Sequence, residues 1–417
     1  MKKTFLISVL SLIFSMGMYA AVTTTTLLLT IGISIAVLFI SCQNSPKESN
    51  ATYDIGLVES QKITLPIDEN TYYLSKRIFQ CEENDKEYLA FGSFEKRAYE
   101  IILYDLEKQD IHKRVALSKE GPNGVPVASG FKPLGDSRIF LIFQNSASRL
   151  SIVDDKGNLV KYYSVRSKDG RFIPCYDGFS YFHLPSFMKD SVVYFHAETG
   201  KPDMKHYEWI NVPMFSCLDL KTGKTGNPAI NYPPIFTQNI KNVAGGDWFC
   251  YDYNYKEDLV VCSFTGYDSL MVSKDLKSAE WYNGKSRYLK SIKPKLYEAN
   301  GLVWLREATE SPAYHNIMYD KYRDVYYRFV EMPYELQPGD SPVEDPKARE
   351  FSVIIFDKDL NIIGETKFPG NKYFYKMSFV GRDGLYISEN NLANPEFDED
   401  KLVFACFKLE NLNKKEQ

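Results

Sequence analysis

Beyond residue 50 the chain alternates short runs of Val, Ile, Phe and Tyr with clusters of Gly, Asn, Asp and Lys, and sustained helical periodicity is nearly absent. Runs of this length, bounded by turn formers, predict strands. One unit recurs: an apolar strand, a polar residue at its end, then a tight turn into the next strand. It reads IILYDLEKQD, LSIVDDKGNL, FSCLDLKTGK, LMVSKDLKSA, IIFDKDLNII and ACFKLENLN. The strand-end positions are Asp105, Asp154, Asp219, Ser273, Asp357 and Lys408, spaced by 49, 65, 54, 84 and 51 residues. An Asp at a strand end accepts bonds from turn amides two residues on, so these carboxylates are read as turn formers rather than ligands.

Each marker follows at least one further strand: YLAFGSF, RIFLIFQ, SVVYFHAE, LVVCSF, VYYRFVEM and GLYISEN. An antiparallel unit repeating at this period has the size of a propeller blade. A blade cannot bury both faces alone, so neighbours must stack, and a closed ring leaves few open edges. The expectation is an all-β, single-domain β-propeller over residues 61–417, six-bladed, with seven blades as the alternative. The last unit runs out after three strands, whereas KITLP at Lys62 to Pro66 stands unpaired ahead of the first. Pairing that strand into the last blade would complete it. The spacing of 84 calls for an insertion. Gln337 to Glu350, rich in proline and charge, is expected as an exposed loop, and Thr199 to Val212 as a second irregular stretch.

The N-terminus carries an address. MKKTFLISVLSLIF has the layout of a secretory signal, and a second apolar run, Leu27 to Ile40, ends in FISC at Cys42. Ile40 and Ser41 fit a bacterial lipobox, while Phe39 stands where Leu is usual. The reading is an export segment over 1–41, a lipid on Cys42 as the membrane attachment, and a polar tether over 42–60. A retained anchor helix, cleavage after Ala20 and an internal start at Met16 or Met18 are the alternatives. These predict an outer-membrane lipoprotein of the cell envelope, facing the periplasm or the surface. Residues after 41 hold 48 basic against 54 acidic side chains, which gives no basic footprint for nucleic acid and no polybasic membrane patch. The six cysteines after Cys42 sit mostly in apolar runs and read as buried free thiols.

EGPNGV at Glu120 to Val125, GFKPLGDSRIFLIF, LSIVDDKGNLVK and YDKYRDVYYRFVE resemble the exported Gram-negative lipoproteins grouped as domain of unknown function 4221. The resemblance implies a six-bladed propeller related to the TolB-like and NHL-like rings. It implies no activity, substrate or catalytic residue.

Chemical motifs are sparse. The five histidines form no HExxH or i, i+4 pair, and there is no CxxC, GxSxG, P-loop or DxDxDG run, so no metal and no cofactor is expected. Two clusters remain. GGDWFCYDYNYKED places Asp247, Trp248, Tyr251 and Asp252 close together, aromatic rings beside carboxylates as sugar sites have them. YDKYRDVYYRFVE offers Arg323, Tyr326 and Arg328, whose guanidinium forks suit an anionic or glycan ligand. Tyr326 and Arg328 share one strand face, Tyr327 and Phe329 the other. The structural alternative is packing for the first cluster and pairing with Asp320, Asp324 and Glu331 for the second. The functional expectation is a non-catalytic binding or scaffold protein for a protein partner or glycan. The alternative is a propeller hydrolase or lyase with its site near the ring axis.

Overall fold

The structure is a computed structural model of the 417-residue chain, describing residues 46–47, 50–69, 71, 75, 77–94, 99–126, 128–134, 139–144, 149–164, 184–197, 213–233, 249–290, 292, 306, 309–341 and 347–413. Residues 1–45, with the expected export segment and Cys42, lie outside the described residues. So do Asp247, Trp248 and the whole of the stretch Thr199 to Val212.

Among the described residues the body is built from strands. β1 (Ile55–Pro66) comes first, beginning ahead of the expected residue 61, so residues 55–60 of the presumed tether belong to a strand. Four four-stranded antiparallel meanders follow. They are β2 (Ile78–Glu83), β3 (Lys86–Ser93), β4 (Glu100–Asp105) and β5 (Asp110–Ala116); β6 (Ala128–Leu134), β7 (Ile139–Gln144), β8 (Arg149–Asp154) and β9 (Leu159–Ser164); β10 (Phe187–Lys189), β11 (Val192–His196), β12 (Phe215–Asp219) and β13 (Thr225–Gly226); β14 (Phe249–Asn254), β15 (Leu259–Phe264), β16 (Ser269–Ser273) and β17 (Glu280–Asn283). The rest form one eight-stranded sheet from β18 (Ala313–Asp320), β19 (Val325–Glu331), β20 (Phe351–Phe356), β21 (Ile362–Phe368), β22 (Phe374–Val380), β23 (Leu385–Ser388), β24 (Lys401–Asn411) and β1.

That large sheet runs β18-β19-β20-β21-β1-β24-β23-β22. Its two halves are joined in the strand ladder by one parallel bridge, Ile55 to Gly364. A Cβ on Gly364 would lie 2.0 Å from the Ile55 carbonyl oxygen, so only glycine admits this approach. Elsewhere β1 pairs antiparallel with β24, Ile63 opposite Phe404 and Leu65 opposite Leu402. The expected pairing of Lys62 to Pro66 with the C-terminal strand is therefore observed.

Asp105, Asp154, Asp219, Ser273 and Asp357 end or directly follow third strands and make turns as expected, whereas Lys408 lies within β24, opposite Val58, and ends no strand. Asp154 and Asp357 each accept two backbone N–H groups at 2.8 to 3.0 Å, and Asp219 accepts from the Lys221 amide at 2.9 Å. Ser273 does the same work, accepting from Leu276 N at 3.0 Å. The loop expected at Gln337 to Glu350 lies in the connection from β19 to β20.

Side chains alternate along the strands, so the middle strands bury both faces. On β4, Ile102 and Tyr104 pack toward β1 and β22–β24, while Ile101 and Leu103 pack toward β6–β8. Apolar clusters fill the space between each four-stranded unit and the next. The cluster of Ile63, Leu65, Leu89, Phe91, Met377 and Phe404 joins the last unit back to the first. This cyclic succession is a propeller-like arrangement. Cys81, Cys217, Cys250, Cys262 and Cys406 are free thiols, as expected.

Truncating Leu65 tests the β1 contact. Leu65 is fully buried and Thr64 is exposed. Leu65→Ala should lower unfolding free energy by about 2–5 kcal/mol and Thr64→Ala by less than about 0.5 kcal/mol, measured by urea denaturation. Equal effects would contradict the packing of β1 on the first meander.

Candidate functional site

β2, β6, β10 and β14 are the first strands of the four meanders, and β18 and β22 are the two ends of the eight-stranded sheet, so each of the six ends its sheet. All six contribute to a single cavity of about 220 Å³. Gln80 comes from β2, Lys132 from β6, Phe187 from β10, Asp252 from β14, Tyr319 from β18 and Phe379 from β22. Convergence of these strands places the cavity on the axis around which the units succeed one another. Its volume suits a small molecule or a projecting side chain. Apolar and aromatic groups form much of the wall. Phe187 stacks on Tyr253 at 4.5 Å between ring centroids, and Tyr255, 59% exposed, stands edge-on to Tyr253.

Asp252 is the one sequence-derived candidate among the described residues that lines this cavity. β14 alternates, sending Tyr251 and Tyr253 into the core toward β10–β13 and Asp252 toward β18. There its Oδ2 accepts the Tyr319 amide at 2.7 Å and its Oδ1 accepts the Tyr253 amide at 2.8 Å. Asp252 is half-buried and lines the cavity. Burial therefore raises its pKa to about 6, and the two amides and the charge of Lys132 only partly oppose this.

The other candidates have structural positions. Arg328 is completely buried, and burial pulls its pKa down to about 10, so it stays charged at neutral pH. Its Nε donates to Ser263 Oγ at 2.8 Å, Nη1 to the carbonyls of Asp268 and Gly284, and Nη2 to those of Tyr267 and Phe264. The guanidinium also lies 3.6 Å from the Tyr314 ring centroid. It pins β19 to the neighbouring β14–β17 unit, and a Cβ at Gly284 would come within 2.7 Å of Nη1. The expected pairing with carboxylates is thus replaced by carbonyls. Arg323 does pair with Asp320, at 2.5 Å, and clamps the carbonyls of Gly381 and Arg382. Tyr326 shares its face with Arg328, is buried, and accepts from Asn254 at 2.7 Å. Tyr251 lies in the core. The structure therefore separates Arg323, Tyr326, Arg328 and Tyr251 from the cavity that Asp252 lines.

Sequence reasoning missed Lys132, Gln80, Ser186 and Lys321, which sit on or beside first strands. Gln80 and Lys321 are engaged: Gln80 donates to Glu87 and Tyr322, and Lys321 pairs with Glu82 at 3.1 Å. No group of His, Cys, Asp and Glu suited to a metal occurs among the described residues. No helix among them is long and apolar enough to cross a membrane.

A cyclic succession of stacked meanders around a lined axial cavity defines a propeller-type protein. The chain belongs to the DUF4221 family, a domain of unknown function, whose pattern matches residues 54–367. The crystal structure of a DUF4221 member from Bacteroides vulgatus is 54% identical, covering 86% of this chain and 99% of that one with a TM-score of 0.82. A Bacteroides fragilis structure is 8% identical, covers 88% and 99%, and has a TM-score of 0.49, a likeness that carries no argument. No curated protein matches the chain.

Two measurements test these placements. Arg328→Lys leaves several buried carbonyls without a donor and should cost about 3 kcal/mol or more in a denaturant melt. Asp252, raised above its usual 3.8, keeps its proton in the fold after the unfolded chain has lost it. Its contribution to stability therefore falls as pH rises from about 4 to 6. His196, lowered by burial from 6.5 to about 4, acts in the opposite sense, losing stability as pH falls through that range. The readout is thus a difference: the Tm of Asp252→Asn relative to wild type should climb between pH 4 and 6 and then level off. A flat difference would place the Asp252 carboxyl in ordinary solvent.

Proposed function

We propose that the chain is an exported, lipid-anchored β-propeller of six blades that acts as a non-catalytic binding protein in the cell envelope. Its axial cavity receives a small ligand, or the projecting group of a protein or glycan partner. The observation that carries this reading is the cavity itself, where the first strands of all meanders bring Asp252, Lys132 and aromatic side chains together. Rigid units that place a few polar groups in a mostly apolar hollow are the usual construction of a small-ligand site.

The six-blade count rests on treating the eight-stranded sheet as two blades joined by the Ile55 bridge, with β1 as the outer strand of the last. The six packed interfaces fit that count. Attachment through a lipid on Cys42, with the outer membrane as location, rests on the two apolar runs before it and the polar residues after it. Nucleic acid is not the partner this acidic chain suits. One observation favours a second reading as a hydrolase or lyase: a carboxyl with a pKa of about 6 facing a cavity is poised for proton transfer.

A thermal-shift screen of the full chain against glycans, peptides and small metabolites separates the readings. A ligand at 100 times its Kd stabilises by about 2.7 kcal/mol, a visible rise in Tm. A stabilising compound recovered unchanged after prolonged incubation is the expected result, and its conversion would move the protein to the enzyme reading. Cys42→Ala should shift the protein from the membrane to the soluble fraction; unchanged fractionation would remove the lipid anchor.

A further inference from the structure

The polar groups around the axial cavity differ in whether the protein already uses them. Gln80 is held by Glu82, Glu87 and Tyr322, and Lys321 by Glu82. Ser378 donates to the Tyr375 carbonyl at 2.7 Å. Lys132 is different. Among the described residues it makes no ion pair, and its ammonium sits 5.6 Å from the Phe79 ring centroid. Asp252 spends one bond on each oxygen and keeps lone pairs toward the cavity it lines. The Ser186 hydroxyl is buried with no hydrogen-bond partner. The two charges feel one another, since Lys132 favours the ionised form of Asp252, yet no ion pair joins them.

An ammonium and a carboxylate on separate parts of one wall, unpaired and facing a small hollow, match a ligand that carries both opposite charges. We propose that the axial cavity binds a small zwitterion, an α-amino acid with an apolar side chain, its ammonium on Asp252 and its carboxylate on Lys132. The rest of the wall fits the side chain: Phe79, Phe187, Tyr253, Met318, Phe379 and Val380 are apolar or aromatic. A neutral sugar would leave both charges unmatched, whereas a zwitterion desolvates each against its complement. The size agrees, because about 220 Å³ holds an amino acid. This inference rests on the binding reading and narrows it to a ligand class.

The test is calorimetric titration of the full chain with four probes: L-phenylalanine, phenethylamine, 3-phenylpropionate and glucose. Phenethylamine lacks the carboxylate and 3-phenylpropionate the ammonium, so each should bind at least about tenfold more weakly than phenylalanine. Lys132→Met should weaken phenylalanine at least about tenfold and leave phenethylamine unchanged. Asp252→Asn should do the converse, sparing 3-phenylpropionate. The comparison of probes on the unaltered protein stands even if a variant fails to fold. Half-probes binding as tightly as phenylalanine, or binding of glucose alone, would overturn the zwitterion inference and leave a binding protein. Absence of heat from all four probes would overturn it too, and the broader screen above then decides whether the cavity binds any small ligand.

Discussion

The structure depends on the pairing of its first strand with its last. β24 already pairs with β23, and without β1 its other edge would present unpaired N–H and C=O groups. β1 covers that edge along its whole length, from Ile55 opposite Asn411 to Pro66 opposite Lys401. The same strand sends Ile63 and Leu65 into the cluster shared with β2–β4, and Leu57 into the cluster shared with β18–β21. One strand thus secures the last meander to both neighbours. Residues more than three hundred positions apart must meet before this happens, so the arrangement is non-local and its closure is a late, cooperative step by the logic of contact order.

Between the units, packing is mostly apolar, and the exceptions act as fasteners. Arg328 offers five donors to one hydroxyl and four carbonyls on the neighbouring unit, so its charge is solvated by fixed dipoles instead of water. A buried guanidinium is costly when left alone, and here every N–H has an acceptor. Arg323 plays the matching part at the surface, tying the β18–β19 turn to the β22–β23 turn. Both arginines looked like ligand-binding forks in sequence because fork geometry serves carbonyl clusters as well as carboxylates. Only the positions of Gly284, Tyr267 and Gly381 distinguish the two uses, and those are three-dimensional.

The strands nearest the middle of each meander were legible in sequence. Second and third strands bury both faces, so they read as unbroken apolar runs, and the aspartates that end third strands sit beside turn residues that reveal their role. The incoming KITLP strand was legible through simple bookkeeping: a last unit short of a strand and a first strand without a unit. First strands were harder. β6 reads ASGFKPL and β10 only FMK, with glycine, proline and lysine diluting the apolar signal. Lys132 of β6 lines the axial cavity whereas Lys189 of β10 is exposed and pairs with Asp258, and sequence patterning cannot tell those two destinations apart. Asp252 stands out in sequence beside Trp248 and Tyr251, yet in the fold the Tyr251 ring packs into the core while Asp252 lines the cavity, a division that local sequence does not show. Lys132 carried no local signal at all, being one of many lysines in strand-like context.

The cavity's chemistry follows from the same edge constraint that shapes the fold. A first strand has a neighbour on one side only, so amides on its open edge need acceptors. Asp252 supplies one to Tyr319 and thereby holds β14 and β18 together at the axis. A carboxylate there consequently has a structural use and is not by itself a sign of a ligand. Lys132 has no such use among the described residues. A solvated lysine on an outer surface needs no explanation, whereas Lys132 is half-buried in the wall of a hollow, over the Phe79 ring and without an ion pair among the described residues. Of the two charges, the lysine therefore gives the stronger support to the proposed binding reading.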